Sequence, residues 1–410
     1  MKQIKLYNAY KDARDTRGIS RALPGYLLVV WISYLLLSPF YVFYSGMPQP
    51  ADMVLVLGLF PMVILSALLP EPKLDSAYLL GGAFAILTFV VNLTYYAFTL
   101  DTLFLLSSAF YIFNFLAFCF VIFLFRRAPY TMNQATYICV AIITVMQFLY
   151  VLFLDSSGPR HTGTFNNPNQ LAYWSLLMAC ILIVLKRSSS LNLFDMALFS
   201  MLAFVQAEAL SKAGLITFGL VVVFMAFSPV ANKRLKALFM LGLAALIITK
   251  VTAPGEISIL ITNADSIEAV SNRLSKIGDD RDDSARVRGY SRLIDYPQYL
   301  IAGAGEGAHY RFNARQELHS GIATILFSYG IIGFTLFFTF LAMVFRRLPI
   351  YYGALLIPII LYGLTHQNFR NTGFWVFLAL SYSYAFFKPA QRESQNRELD
   401  HRLDFFINKG

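Results

Sequence analysis

The feature that most constrains this chain is a succession of apolar blocks, each close to the length needed to cross a bilayer. Twelve can be read, at about 25–44, 52–70, 77–98, 103–125, 135–154, 170–185, 194–210, 213–230, 235–253, 321–345, 349–365 and 372–387. A membrane-spanning helix needs roughly 20 apolar residues, and inside lipid only helices and closed barrels satisfy every backbone group. Several blocks are short enough to tilt or merge, so eleven and thirteen spans stay open. Charged residues make up only 14% of the chain and hydrophobic ones 57%, against roughly 25% charged in a soluble domain. That balance excludes a soluble enzyme, a disordered chain, a nucleic-acid-binding domain and a collagen-like fibre. A porin is excluded as well, because its strands would alternate in polarity over roughly ten residues. The expected class is an all-α polytopic membrane protein of about twelve spans.

The net charge of +10 would suggest nucleic acid in a soluble protein; here the question is which side carries the cations. With the N-terminus placed in the cytoplasm, the cytoplasmic segments hold 21 Lys or Arg residues, and the short outer loops hold three, Arg160, Lys212 and Arg370. The positive-inside rule therefore puts both termini in the cytoplasm and supports an even number of spans. Cys119, Cys139 and Cys180 lie within apolar blocks and behave as small buried hydrophobes, with no disulfide or metal pattern. Residues 1–24 are polar and basic, and the first block lacks a small-residue cleavage site, so no cleavable signal peptide is expected.

Residues 254–320 break the run of short loops. This polar stretch carries Asp279-Asp280-Arg281-Asp282-Asp283, eight Lys or Arg residues and two of the five histidines. Apolar spacing in 287–300 and the Gly303-Ala304-Gly305-Glu306-Gly307 turn predict that part of it folds. No internal repeat is visible, nor the pair of broken helices found in inverted-repeat transporters. His161, His309, His319 and His366 all fall in outer loops or at outer helix ends. The centres of the spans hold almost no ionisable residue, which argues against ion-coupled transport and for a site at the outer interface. Cations there run against the positive-inside bias, and an anionic lipid or lipid-linked phosphate explains them.

Four segments follow in order: Arg160-His161-Thr162-Gly163-Thr164-Phe165-Asn166-Asn167-Pro168-Asn169-Gln170 opens the sixth span, and Ser211-Lys212-Ala213-Gly214 opens the eighth. Ser284-Ala285-Arg286, followed by Tyr290 and Pro297, leads into Gly303-Ala304-Gly305, and His319-Ser320 precedes Gly330 and Gly333. This ordered set resembles the O-antigen ligase and Wzy polymerase superfamily of bacterial membrane glycosyltransferases, over roughly residues 155–335. The resemblance implies a metal-independent inverting glycosyltransferase of the GT-C type, without a cofactor, in the bacterial inner membrane. Its domains would be a cytoplasmic segment (1–24), helices 1–9 (25–253), a large periplasmic loop carrying part of the site (254–320), helices 10–12 (321–387) and a cytoplasmic tail (388–410).

The implied donor is a glycan on undecaprenyl diphosphate, and the acceptor a second glycan or lipid A–core; a chain-length regulator is a further possible partner, and nucleic acid is not one. A departing diphosphate calls for cations and for a base on the acceptor hydroxyl, but not for a strong general acid. The resemblance makes His319 the base and gives Arg286, Arg160, Lys212, Arg288, Asn166, Asn169 and Tyr290 to donor binding; His366, beyond the matched segments, joins them for its outer-face position. Lys212 stands where Arg is commoner and loses the bidentate fork; Ser320 stands where Asn is common. Plainer roles stay open: His319 as a helix-capping histidine, Asn166–Asn169 as a cap and turn, and Arg288, Arg292, Arg311 and Arg315 as solvated charges. The acidic run 279–283 reads as a solvated loop. The Gly303–Gly307 turn has no βαβ context for a dinucleotide site. A Wzy-type polymerase is the first reading and an O-antigen ligase the second. A lipid-linked oligosaccharide flippase is a third, for which the spans offer mainly isolated amides, Asn92, Asn114, Gln147 and Gln206.

Overall fold

A computed structural model of the chain describes residues 19–44, 46–68, 75–155, 160–186, 191–227, 288–313, 317–346 and 348–383. The secondary structure of these residues is helical, with no strand among them. The helices are α1 (Ile19–Leu37), α2 (Pro50–Leu68), α3 (Ser76–Thr99), α4 (Leu103–Arg127), α5 (Pro129–Phe153), α6 (Pro168–Leu185), α7 (Leu193–Glu208) and α8 (Lys212–Ala226). Two short helices follow, α9 (Ser291–Asp295) and α10 (Tyr299–Ala302), then α11 (Gly321–Phe345), α12 (Ile350–Ala354), α13 (Leu356–Gly363) and α14 (Thr372–Tyr382). Among the described residues, six helices are long and apolar enough to cross a membrane: α2 to α6 and α11. The chain is a polytopic α-helical membrane protein. Eleven of the twelve apolar blocks coincide with helices; the ninth, 235–253, lies outside the described residues.

The helices begin where the sequence supplies acceptors for their unpaired N–H groups. Asp75 accepts from Ala77 at α3, Asn167 from Gln170 at α6, Ser320 from Ala323 at α11 and Asn371 from Gly373 at α14. Asn192 and Asp195 form a reciprocal capping box at α7. Each such cap stabilises its helix by about 1 kcal/mol. α6 is apolar all round and is buried on every side from Leu171 to Leu185, which makes it the central helix. α2 and α3 instead turn Leu57, Phe60, Ile86 and Phe89 outward, as lipid-facing helices do.

Alternate helix ends meet at two faces. At one, the Tyr382 hydroxyl donates to Asp75, Lys186 pairs with Asp195 at 3.0 Å and Arg126 lies over the Tyr78 ring. At the other, Tyr41 N–H donates to Thr164 O (3.0 Å), Thr372 Oγ1 to Asp52 Oδ1 (3.2 Å) and Gly321 N–H to His366 O (3.0 Å). The described residues of 38–44, 46–49, 160–167, 288–313, 317–320 and 364–371 thus share one end of the bundle, where the candidate site lies.

Two helices are broken. Gly330 leaves helical geometry inside α11, at φ +65° and ψ −172°, a region essentially reserved for glycine. The Phe327 and Ser328 carbonyls released by the break accept from Ala304 N–H and Gly305 N–H, each at 2.9 Å. A Cβ on Gly330 would stand 2.2 Å from the Ile301 carbonyl oxygen. The 303–307 turn is therefore threaded into the bundle against α11. The span expected at 349–365 is divided at Leu355; Pro358, lacking an N–H, cannot bond the carbonyl four residues back.

Candidate functional site

At the end of the bundle where these segments gather lies a cavity of about 730 Å³. His309, Glu317, His319, His366, Gln367, Arg370 and Asn169 line one part of its wall, and Tyr41, Asp52, Phe165, Tyr173 and Trp174 another. Deeper, Leu35, Val140, Met178, Ile181, Val376 and Leu380 give it an apolar wall between α1, α5, α6 and α14.

Three of the expected site residues, His319, His366 and Asn169, line this cavity. His319 sits one residue before the Ser320 cap of α11, so the helix fixes its backbone. Its N–H donates to Arg288 O at 3.1 Å, while Arg288 Nη1 donates to Thr365 O at 2.9 Å. Burial first, and then the Arg288 guanidinium, hold the His319 imidazole below its ordinary pKa, against the opposing pull of Glu317. Histidine 319 is therefore neutral at pH 7 and can accept a proton. The His366 ring stacks on Tyr362 at 4.6 Å, with Nδ1 2.9 Å from Thr365 Oγ1. Tyr362 donates to Asn169 O at 2.7 Å, and Asn169 Oδ1 accepts from Arg160 Nη2 at 3.2 Å. Arg160 is thus tied to the cavity wall through Asn169.

Other expected residues stand back from the cavity. Tyr290 donates its hydroxyl to Leu364 O and so helps to hold the 364–371 segment. Asn166 Nδ2 donates to Phe43 O at 2.7 Å, pinning the loop between α1 and α2, while Asn167 is the residue that caps α6. Lys212 opens α8 behind the Ser211 cap. Ser320 combines its cap with a 3.0 Å bond to Gly363 O, which accounts for a hydroxyl there. Arg286, Arg315 and the acidic run 279–283 lie outside the described residues. Two arginines expected to be solvated are enclosed: Arg292 is buried. Arg311 donates to Ala304 O and lies over the Tyr95 and Phe104 rings at 4.7 and 5.2 Å; aromatic faces attract a guanidinium and replace part of its hydration.

The sequence reading did not single out the charge cluster beneath His319. Arg370 Nη1 is 3.2 Å from Glu306 Oε1, an ion pair lying off the hydrogen-bond axis, and Nη2 bonds Glu317 Oε2. Glu306 is only 3% exposed. Its Oε2 accepts from Tyr329 Oη at 2.7 Å, and its N–H donates to Asn92 Oδ1 at 2.8 Å. Burial raises the Glu306 carboxyl above the carboxylate range, and Arg370 partly offsets that. For Glu317 burial pulls the same way but Arg370 outweighs it, with help from His309, leaving its carboxyl low. The desolvated Arg370 is in turn held charged by Glu306 and Glu317. The supposedly isolated amides are engaged with protein groups. Asn92 holds Glu306, Asn114 Nδ2 donates to Arg370 O at 2.8 Å, Gln147 donates to Thr164 and Gln206 Oε1 accepts from Ser175 at 3.1 Å.

The arrangement pairs a neutral imidazole with two arginines, Arg160 and Arg288, tied to the edge of an aromatic and amide-lined cavity whose own arginine, Arg370, is engaged by Glu306 and Glu317. It can accept a proton from a hydroxyl within the cavity and hold an anion at its rim. No protein-family model matches the chain, and a comparison with curated proteins finds no match.

Proposed function

We propose that this chain is a membrane glycosyltransferase that takes a glycan from undecaprenyl diphosphate, a Wzy-type polymerase adding it to a second lipid-linked glycan. In this reading the chain crosses the bacterial inner membrane twelve times, both termini are cytoplasmic and the end carrying His319 faces the periplasm. The observation that carries the proposal is the placing of His319, kept neutral, on a cavity whose rim is tied to Arg288 and Arg160. The acceptor hydroxyl oxygen attacks the anomeric carbon and the bond from that carbon to the diphosphate oxygen breaks. The diphosphate leaves with the electron pair, and the hydroxyl proton passes to the His319 imidazole. Attack opposite the leaving group inverts the anomeric centre. Arg160 and Arg288, together with Arg286, would stabilise the departing charge through charge-assisted hydrogen bonds.

The cavity's own charges support this division. Asp52 and Glu317 line it together with a single arginine, Arg370, which Glu306 and Glu317 already engage, so the interior suits an uncharged glycan and the diphosphate belongs at the rim. The test is reconstitution of the purified chain with an undecaprenyl-diphosphate-linked repeat unit. Release of undecaprenyl diphosphate with growth of the glycan supports the reading. Transfer only when lipid A–core is supplied makes it a ligase, and an unconsumed donor refutes both.

A further inference from the structure

The cavity wall contributed by the first two helices has no part in the chemistry above, yet it carries a carboxylate. Asp52 lies in the first turn of α2 and is partly exposed to the cavity. The contacts that hold it are neutral: Oδ2 accepts from Gln49 N–H at 2.8 Å and Oδ1 from Thr372 Oγ1 at 3.2 Å. An ionised carboxylate has about four acceptor sites, so roughly two remain for donors entering the cavity. No Lys, Arg or His among the described residues pairs with it, in contrast to Glu317. Beside it Tyr41 lines the same wall, its hydroxyl oxygen accepting from Asn371 Nδ2 at 3.4 Å with its own proton left to donate. The Tyr41 ring packs at 5.0 Å against Phe165, and Phe165 at 6.0 Å against Trp174.

We infer that the Asp52–Tyr41 wall, with Phe165 and Trp174, is a binding subsite for an uncharged sugar ring of the acceptor glycan. A hexose presents hydroxyl donors at its edge and an apolar C–H face, matching a carboxylate beside aromatic rings. The unneutralised Asp52 charge repels sugars bearing carboxylate or phosphate, so the subsite also selects. Placing the ring on the acceptor rests on the glycosyltransferase reading; the sugar subsite itself does not.

The test reads binding alone. Full-length protein in detergent is titrated with maltotriose, chitotriose and trigalacturonate while tryptophan emission is followed, Trp174 being one of three tryptophans in the chain. At least one neutral trisaccharide is expected to bind at least tenfold more tightly than trigalacturonate. Asp52→Asn should weaken that binding about tenfold or more, as expected for loss of hydrogen bonds to a charged group, and narrow the discrimination. Tyr41→Phe, which keeps the ring packing, should weaken it less and serves if Asp52→Asn does not fold. Equal or tighter binding of trigalacturonate, no binding of any of the three, or an Asp52→Asn or Tyr41→Phe protein that binds like wild type would overturn the subsite. Neutral-sugar binding by a protein that leaves the lipid-linked donor unconsumed would keep the subsite and remove the transferase.

Discussion

Replacing Arg370 by alanine tests the charge cluster that it forms with Glu306 and Glu317. Arg370 faces two carboxylates, and they are not equivalent. The Glu317 side chain is 37% exposed, so its half of the cluster is worth about 1 kcal/mol or less. Glu306 is almost wholly enclosed, and removing one partner of a buried pair typically costs about 3–5 kcal/mol. Arg370→Ala should therefore destabilise the protein by about 3–5 kcal/mol near neutral pH, nearly all of it through Glu306. The loss has a pH signature. Without Arg370, the folded-state pKa of Glu306 lies further above its unfolded value, so the folded variant binds a proton that the unfolded chain has released. Its stability must fall as pH rises through that window, and the deficit at pH 5.5 should be smaller than at pH 8. Glu306→Gln with Arg370→Ala should remove the pH dependence and recover about 2 kcal/mol relative to additive losses. Equilibrium unfolding in mixed detergent micelles at the two pH values supplies the cycle. An Arg370→Ala cost below about 1 kcal/mol, or one that is additive and independent of pH, would refute the reasoning.

Three further outcomes follow from the same geometry. Gly330→Ala forces a side chain into glycine-only backbone space, which costs about 1–3 kcal/mol, and against the Ile301 carbonyl, so folded yield should collapse while Gly353→Ala, in open space, is tolerated. Because burial and Arg288 lower the His319 pKa, the acid limb of kcat/KM should have its midpoint below 6.5, with activity rising as the imidazole loses its proton. Arg288→Gln should move that midpoint up, and an unmoved limb removes Arg288 from the explanation. In a cysteine-free background, Tyr310→Cys should react with an impermeant thiol reagent on intact spheroplasts and Ile350→Cys should not; the reverse pattern would invert the topology.

The sequence made the helices legible because bilayer-length apolar blocks leave the backbone few alternatives. The shared location of His319, His366 and Asn169 was legible too, since polar residues at one set of helix ends must share a face once spans alternate in direction. The Glu306–Arg370 pair was hidden for a physical reason. Its members lie 64 positions apart in two loops, and only the break at Gly330 opens backbone carbonyls to which the 303–307 turn can bond. Asn92 and Asn114 looked isolated because the Glu306 N–H and the Arg370 carbonyl that they bond belong to loops entering the bundle from its end. Arg311 looked solvated because nothing local in the sequence announces that Tyr95 and Phe104 form its platform. Asp52 carried no motif; the charge against neutral neighbours became visible only with α2 placed beside α14.

The central claim, that His319 removes the acceptor proton during glycosyl transfer from a lipid diphosphate, is tested most directly by a single-turnover measurement. Wild-type and His319→Ala proteins in liposomes are preloaded with an undecaprenyl-diphosphate-linked repeat unit, and bound donor and released undecaprenyl diphosphate are followed together. Loss of a general base lowers the rate by about 10²–10⁴. The account predicts a fall of that size in release, with donor affinity within about threefold of wild type. Correctly inserted His319→Ala protein that releases diphosphate at the wild-type rate, or that no longer binds the donor, would contradict it.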